Sequence, residues 1–208
     1  MFRLFRTRWP IAAVCAVVAL ASAPARSQPA ADMERARKIV NGGCVLCHGA
    51  DGDSSSELFP KLAAQNAAYL AKQLANFKTG VRKSSAMQEM VKDLSEADMR
   101  ALGEYFSRKP ATAHEVRDPE LAAVGRYIYA HGNRYSGVPA CAGCHGPDGG
   151  GSEALPRLAG QHPVYVENQI RQFNRRERTN DNAVMHAVAE KMTELEIKAV
   201  AEYLAGKK

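Results

Sequence analysis

Two short runs constrain this chain more than anything else in it. Cys44-Val45-Leu46-Cys47-His48 is matched, 97 residues later, by Cys141-Ala142-Gly143-Cys144-His145. Four of the five cysteines are spent there. The segments behind the runs repeat as well. Pro60 and Pro156, Gln65 and Gln161, Tyr69 and Tyr165, Gln73 and Gln169, and Phe77 and Phe173 pair at an offset of 96, and Met87 with Met185, Ser95 with Thr193 and Tyr105 with Tyr203 pair at 98. Two copies of nearly a hundred residues can each fold alone, which makes this a tandem pair of domains and not a solenoid.

The local patterns are helical. "YLAKQLANF" sets Leu70, Leu74 and Phe77 on one face, and "YVENQIRQF" does the same with Val166, Ile170 and Phe173. Ser95 with Asp98, and Thr193 with Glu196, read as capping boxes that start the last helix of each copy. Asp118-Pro119 reads as the cap and first position of the second copy's first helix. No run alternates like a strand. The expected fold is all-α with two domains, residues 31–108 and 119–208, joined by a linker over 109–118. Each domain has few large apolar side chains for its size, so something beyond the polypeptide should fill its centre.

A C-x-x-C-H run is the attachment signal for c-type haem. Two thiols reach the vinyl groups of one porphyrin, and the next residue sets an imidazole on the iron. Cys44, Cys47 and His48 would serve one haem; Cys141, Cys144 and His145 would serve the other. Zinc would need a fourth ligand at recognisable spacing, and neither copy offers a further cysteine. A redox dithiol belongs beside a strand-helix unit, and a disulfide leaves the recurring histidine unexplained. The sixth iron ligand decides between chemistry and electron transfer. Met87 and Met185 lie in polar, non-periodic segments and align with each other, whereas Met99 and Met192 sit in or beside the last helices as core residues and Met90 aligns with Val188. Met87 and Met185 are the expected ligands, with His186 as the competing imidazole. The carbonyl of Pro60 or Pro156 is a candidate partner for the ligating histidine, unless those prolines only stiffen a loop. His114, His131 and His162 have no partner in the other copy and read as surface or linker residues.

The first 27 residues, with arginines ahead of a 13-residue apolar stretch and small residues after it, read as a secretory signal too short to span a bilayer. That places the protein in the periplasm and removes Cys15. It also cuts the formal charge from +6 to 24 basic against 22 acidic side chains, so a nucleic-acid partner loses its support. "RQFNRRERTN" gathers Arg171, Arg175, Arg176 and Arg178. They read as a basic helix end complementing its own dipole, as a docking patch or as propionate partners.

Haem runs, proline turns, paired methionines and a closing helix with a tyrosine together resemble class I cytochromes c. The duplication, with "CHGADG", "FPKLAAQNAAYLAKQL", "CHGPDG", "LPRLAGQHPVYVENQIRQF" and "RTND", resembles the dihaem cytochrome c4 family over about residues 31–208. The resemblance implies two covalent haem c groups packed with propionates toward a domain interface. It also implies a periplasmic electron carrier, often loosely membrane-associated, that feeds terminal oxidases from a quinol-oxidising complex. The alternatives are the haem subunit of a periplasmic dehydrogenase, such as a flavocytochrome sulfide dehydrogenase, and a haem enzyme such as a peroxidase or thiosulfate-oxidising cytochrome. The last needs an open iron position, which the two methionines argue against. Class I cytochromes favour a small residue and an aromatic four positions on, where first and last helices cross. Gly125 and Tyr129 supply this in the second domain; Ala36 and Val40 stand there in the first, predicting a looser or differently packed crossing.

Overall fold

The computed structural model describes Met1 and residues 29–208, so the expected signal segment beyond Met1 lies outside the described residues. Among those described there are ten α-helices and no strand, only an isolated bridge between Asn133 and Val138. In the N-terminal unit α1 (Pro29–Ile39) passes through a π-helical turn (Val40–Cys44) straight into α2 (Val45–His48). Then come α3 (Ala67–Lys78), α4 (Ser85–Val91) and α5 (Glu96–Ser107). The C-terminal unit repeats the order with α6 (Pro119–His131), α7 (Ala142–His145), α8 (Pro163–Asn174), α9 (Val184–Ala189) and α10 (Glu194–Ala205). Its first helix does not run into its cysteines. Eight positions separate Ala36 from Cys44 but sixteen separate Gly125 from Cys141, and the extra chain forms the bridged loop after α6.

Both expected capping boxes are closed in both directions, Ser95 with Asp98 and Thr193 with Glu196. Asp118 caps α6 by accepting from Leu121 N at 2.9 Å, with proline at the helix start. Each cap satisfies backbone N–H groups that the helix cannot.

Two clusters form the core. Ile128, Tyr129, Val166, Ile170, Phe173, Ile197, Val200 and Leu204 build the C-terminal one. Ala36, Val40, Leu70, Leu102 and Phe106 build the smaller N-terminal one. The helix crossings differ, as expected, in kind. A Cβ on Gly125 would lie 1.9 Å from Ala199 O, so only glycine lets α6 approach α10 that closely. In the N-terminal unit Ala36 and Val40 are fully buried, and the closest backbone approach moves to Gly103 of α5, where a Cβ would lie 2.4 Å from Ala67 O of α3.

The two units face each other about a pseudo-two-fold axis. Gln65 donates Nε2 to Arg157 O at 2.9 Å and accepts from Arg157 N at 2.7 Å. Gln161 donates to Lys61 O at 3.0 Å and accepts from Lys61 N at 2.9 Å. Each carboxamide thus pairs with the opposing backbone as a strand would. The connecting segment is docked too: Thr112 donates to Asp53, His114 N donates to Ala205 O, and Arg117 pairs with Glu57.

Candidate functional site

Each cysteine run occupies one turn of helix, which puts its second cysteine and its histidine at the end of α2 or α7. Gly49 and Gly146, both at positive φ, end those turns. A loop then returns past the histidine, pinned the same way in both copies. Gly52 O accepts from Leu62 N (2.7 Å) and Ala63 N (3.1 Å), and Gly149 O accepts from Leu158 N (2.7 Å) and Ala159 N (3.1 Å). The pinned loop presents a proline carbonyl to the ring. His48 Nδ1 lies 2.9 Å from Pro60 O, and His145 Nδ1 lies 3.2 Å from Pro156 O. A carbonyl only accepts, so Nδ1 carries the proton and Nε2 is left as a lone pair. Among the described residues neither Nε2 has a hydrogen-bond partner. Both rings are 7% exposed, and burial lowers the pKa of each, keeping the imidazole neutral and able to bind a metal.

None of the four described cysteines forms a disulfide. Burial raises the pKa of Cys44 and pushes Cys141 up to about 11. An exchange dithiol needs the opposite shift, so redox cycling of the pair does not suit these sites.

The methionines lie on structure the sequence did not suggest. Met87 is half-buried on α4, whose cap Ser84 accepts from Met87 N. Met185 is half-buried on α9 and packs against the C-terminal core. These segments are too short and polar for a periodic pattern, yet each closes into a helix. Met99 and Met192 are core residues. Met90 is exposed, with its Sδ near Gly43. His186 donates Nδ1 to Phe173 O at 3.0 Å, and its Nε2 lies 3.6 Å from Glu190 Oε2.

Between the two sites lies a polar cluster that the sequence reading missed. Arg82 donates to Gln73 Oε1 (2.9 Å), Tyr165 Oη (2.8 Å) and Gln169 Oε1 (2.8 Å). Arg178 mirrors it with Gln169 (2.7 Å), Tyr69 (3.0 Å) and Gln73 (3.3 Å). Each guanidinium stacks on its own unit's phenyl ring, Phe77 or Phe173. They are 9% and 7% exposed, and neither forms an ion pair among the described residues. Burial works to raise the Tyr165 pKa, but the two guanidiniums outweigh it and the net shift is downward. The signal was available: Arg82 and Arg178 sit at the same offset of 96 as the other paired residues. The basic run does not form one patch. Arg178 is buried at the interface, while Arg171 pairs with Glu167 and Glu194. His162 is not a surface residue either; it is 1% exposed and donates Nε2 to Ser54 O at 2.8 Å.

Comparison with known proteins follows the same division. Residues 129–208 match the family described as cytochrome c, and residues 31–106 match cytochrome c oxidase, cbb3-type, subunit III. Cytochrome c4 of Thiocapsa roseopersicina is 40% identical over 190 residues, covering 89% of this chain and 96% of that protein. The chain belongs to the cytochrome c4 family. The structure of reduced recombinant cytochrome c4 from Pseudomonas stutzeri superposes with a TM-score of 0.80 at 35% identity, covering 85% of this chain and 98% of that one. A thiosulfate dehydrogenase electron acceptor from Stutzerimonas stutzeri strain A1501 is 34% identical over 95% of this chain and 94% of its own. As a member of the cytochrome c4 family the chain is a dihaem electron-transfer protein with two covalently bound haem c groups. Its residues fit that cofactor on three independent counts. Each unit has two unbridged thiols beside a buried imidazole with a free lone pair, and the interface holds two buried guanidiniums with no carboxylate. Buried cations call for anions, and a haem brings two propionates.

Proposed function

We propose that this cytochrome c4 is a periplasmic carrier that takes electrons from a quinol-oxidising complex to a terminal oxidase, entering at one domain and leaving at the other. Residues 31–108 and 119–208 would be the domains, 109–118 the linker and 1–27 a removed signal. Cys44 and Cys47, and Cys141 and Cys144, would form the thioethers. His48 with Met87, and His145 with Met185, would be the axial ligands. Arg82 and Arg178, with Tyr69 and Tyr165, would receive propionates. Each haem supplies a one-electron couple whose potential its axial ligands set.

The chain's own part is to hold geometry. The Pro60 and Pro156 carbonyls fix the imidazoles, the helix crossings keep water from the core, and the reciprocal glutamines fix one unit against the other. That pseudo-symmetric docking of two buried sites is the observation that carries the proposal, because a relay between centres needs a fixed separation. No helix of the described residues is long and apolar enough to cross a membrane, which suits a mobile carrier held only loosely at the membrane.

A second reading makes the chain a dedicated acceptor for a periplasmic dehydrogenase. It is favoured by the relatives named thiosulfate dehydrogenase electron acceptor and by a TM-score of 0.75 to the structure titled thiosulfate dehydrogenase (TsdBA) from Marichromatium purpuratum, of which this chain covers 40%. Purifying the tagged protein from its own membranes in mild detergent separates the two. A stoichiometric dehydrogenase supports the second reading and overturns the first; a terminal oxidase, reduced oxidase-side on mixing, supports the first.

A further inference from the structure

The interface obeys its pseudo-symmetry with one chemical exception. Before α3, Asn66 donates Nδ2 to Gly150 O and Leu155 O, both at 3.1 Å. Before α8 the matching residue, 96 positions on, is His162, which donates Nε2 to Ser54 O in the opposing loop. The same task, holding the opposing loop that follows a cysteine run, falls to a carboxamide on one side and an imidazole on the other. Only the imidazole titrates.

Both held loops are tied to their cysteine runs, by Ser54 donating Oγ to Cys47 O at 2.8 Å and by Gly151 N donating to His145 O at 2.9 Å. His162 has no outlet for a second proton. With Nε2 donating to a carbonyl, Nδ1 is the lone pair, and it is buried without a partner. The ring of His114, from the linker, lies 4.7 Å away with its own Nε2 buried and unpartnered. Asp53, Glu57 and Lys61 face the pair from the loop, Arg117 from the linker and Glu202 from α10. Glu115, beside His114 in the linker, is exposed and has no partner among the described residues, and the other carboxylates are engaged. Asp53 pairs with Lys61 at 2.9 Å, Glu57 pairs with Arg117, and Glu202 accepts from the backbone N–H groups of Arg117 and Asp118. Burial accordingly lowers the pKa of both rings, and Lys61 acts in the same direction.

We propose that His162 and His114 form an acid-sensitive latch, which holds the linker and the loop after the first cysteine run against the C-terminal unit and releases them on acidification. The neutral pair favours docking above the ordinary histidine range of about 6.5. Below it the released loop binds more protons than the docked one, so docking weakens as pH falls. The Asn66 side stays docked. One side of the relay between the two units thereby answers to the acidity of its compartment, whatever the donor and acceptor are.

Hydrogen–deuterium exchange on the holo-protein at pH 7.5 and 5.0, with the intrinsic pH dependence divided out, tests this with an internal control. Protection of residues 53–61 and 109–116 should fall about tenfold at pH 5.0, while the counterpart loop, residues 149–157, keeps its own. His162→Asn, which copies Asn66, should abolish the loss at residues 53–61 and leave at 109–116 only the part that His114 contributes. Equal loss in both loops, or unchanged loss in His162→Asn, overturns the proposal. A measurement on the unaltered protein stands beside it. By NMR the amides of Asp53 to Glu57 should titrate with the His162 ring at one midpoint below the ordinary histidine value, and the absence of a shared midpoint also overturns it.

Discussion

At the scale of single residues, the two sites are defined by which atoms are occupied. His48 and His145 each spend Nδ1 on a proline carbonyl and keep Nε2 free. Replacing Cys44 and Cys47 by serine should lower the intact mass of the holo-protein by one haem and halve its absorbance per chain; an unchanged mass would remove this run from haem attachment. Asp98 makes a different claim. Burial disfavours its charge, but hydrogen bonds from Arg35 and Ser95 outweigh that and hold its pKa at about 2. A depressed carboxylate gives stability that is complete above the ordinary aspartate range near 4 and is lost as pH falls through about 2. Asp98→Asn should therefore cost ~1 kcal/mol near pH 7, with the gap to the parent closing in acid denaturation profiles toward pH 2. The cysteine runs and the proline acceptors were legible because covalent attachment and its partner impose fixed spacing. The interface contacts of His162 and Arg82 were not, because their partners lie across an interface that no local pattern encodes, and Arg178 was legible only as one member of a basic run with three readings.

At the scale of elements, the longer helices with an apolar face or a capping box were readable, and α4 and α9 were not. A helix of six or seven residues has too few turns to show a period. The crossing of first and last helices was readable from Gly125 and Tyr129 only through the resemblance to class I cytochromes c, and its close approach is one that a missing side chain allows. Gly125→Ala should destabilise the C-terminal unit by ~1–3 kcal/mol as α6 is pushed from Ala199. Ala36→Gly should also destabilise, by about 1 kcal/mol through helix propensity and lost packing, instead of restoring a tighter crossing. Thermal unfolding followed at each haem's absorbance checks both. Thr193→Ala should cost ~1 kcal/mol by removing a helix cap.

At the scale of the whole molecule, duplication produced two similar sites and a nearly symmetric surface that joins them. The repeat was visible in the sequence, but the axis was not, since an offset of 96 records likeness and not contact. Gln65 and Gln161 each make a two-way pair with the opposing backbone, so replacing both with alanine should slow electron exchange between the haems in pulse radiolysis while leaving each haem's spectrum intact; an unchanged rate would mean the glutamines do not set the separation. The account depends most on there being two equivalent sites, each closed by histidine and methionine. A methionine methyl bound to reduced haem iron is shifted far upfield in the proton NMR spectrum. The reduced protein should show two such methyl signals, one lost in Met87→Ala and the other in Met185→Ala. A single signal, or two signals that survive either substitution, would contradict the assignment.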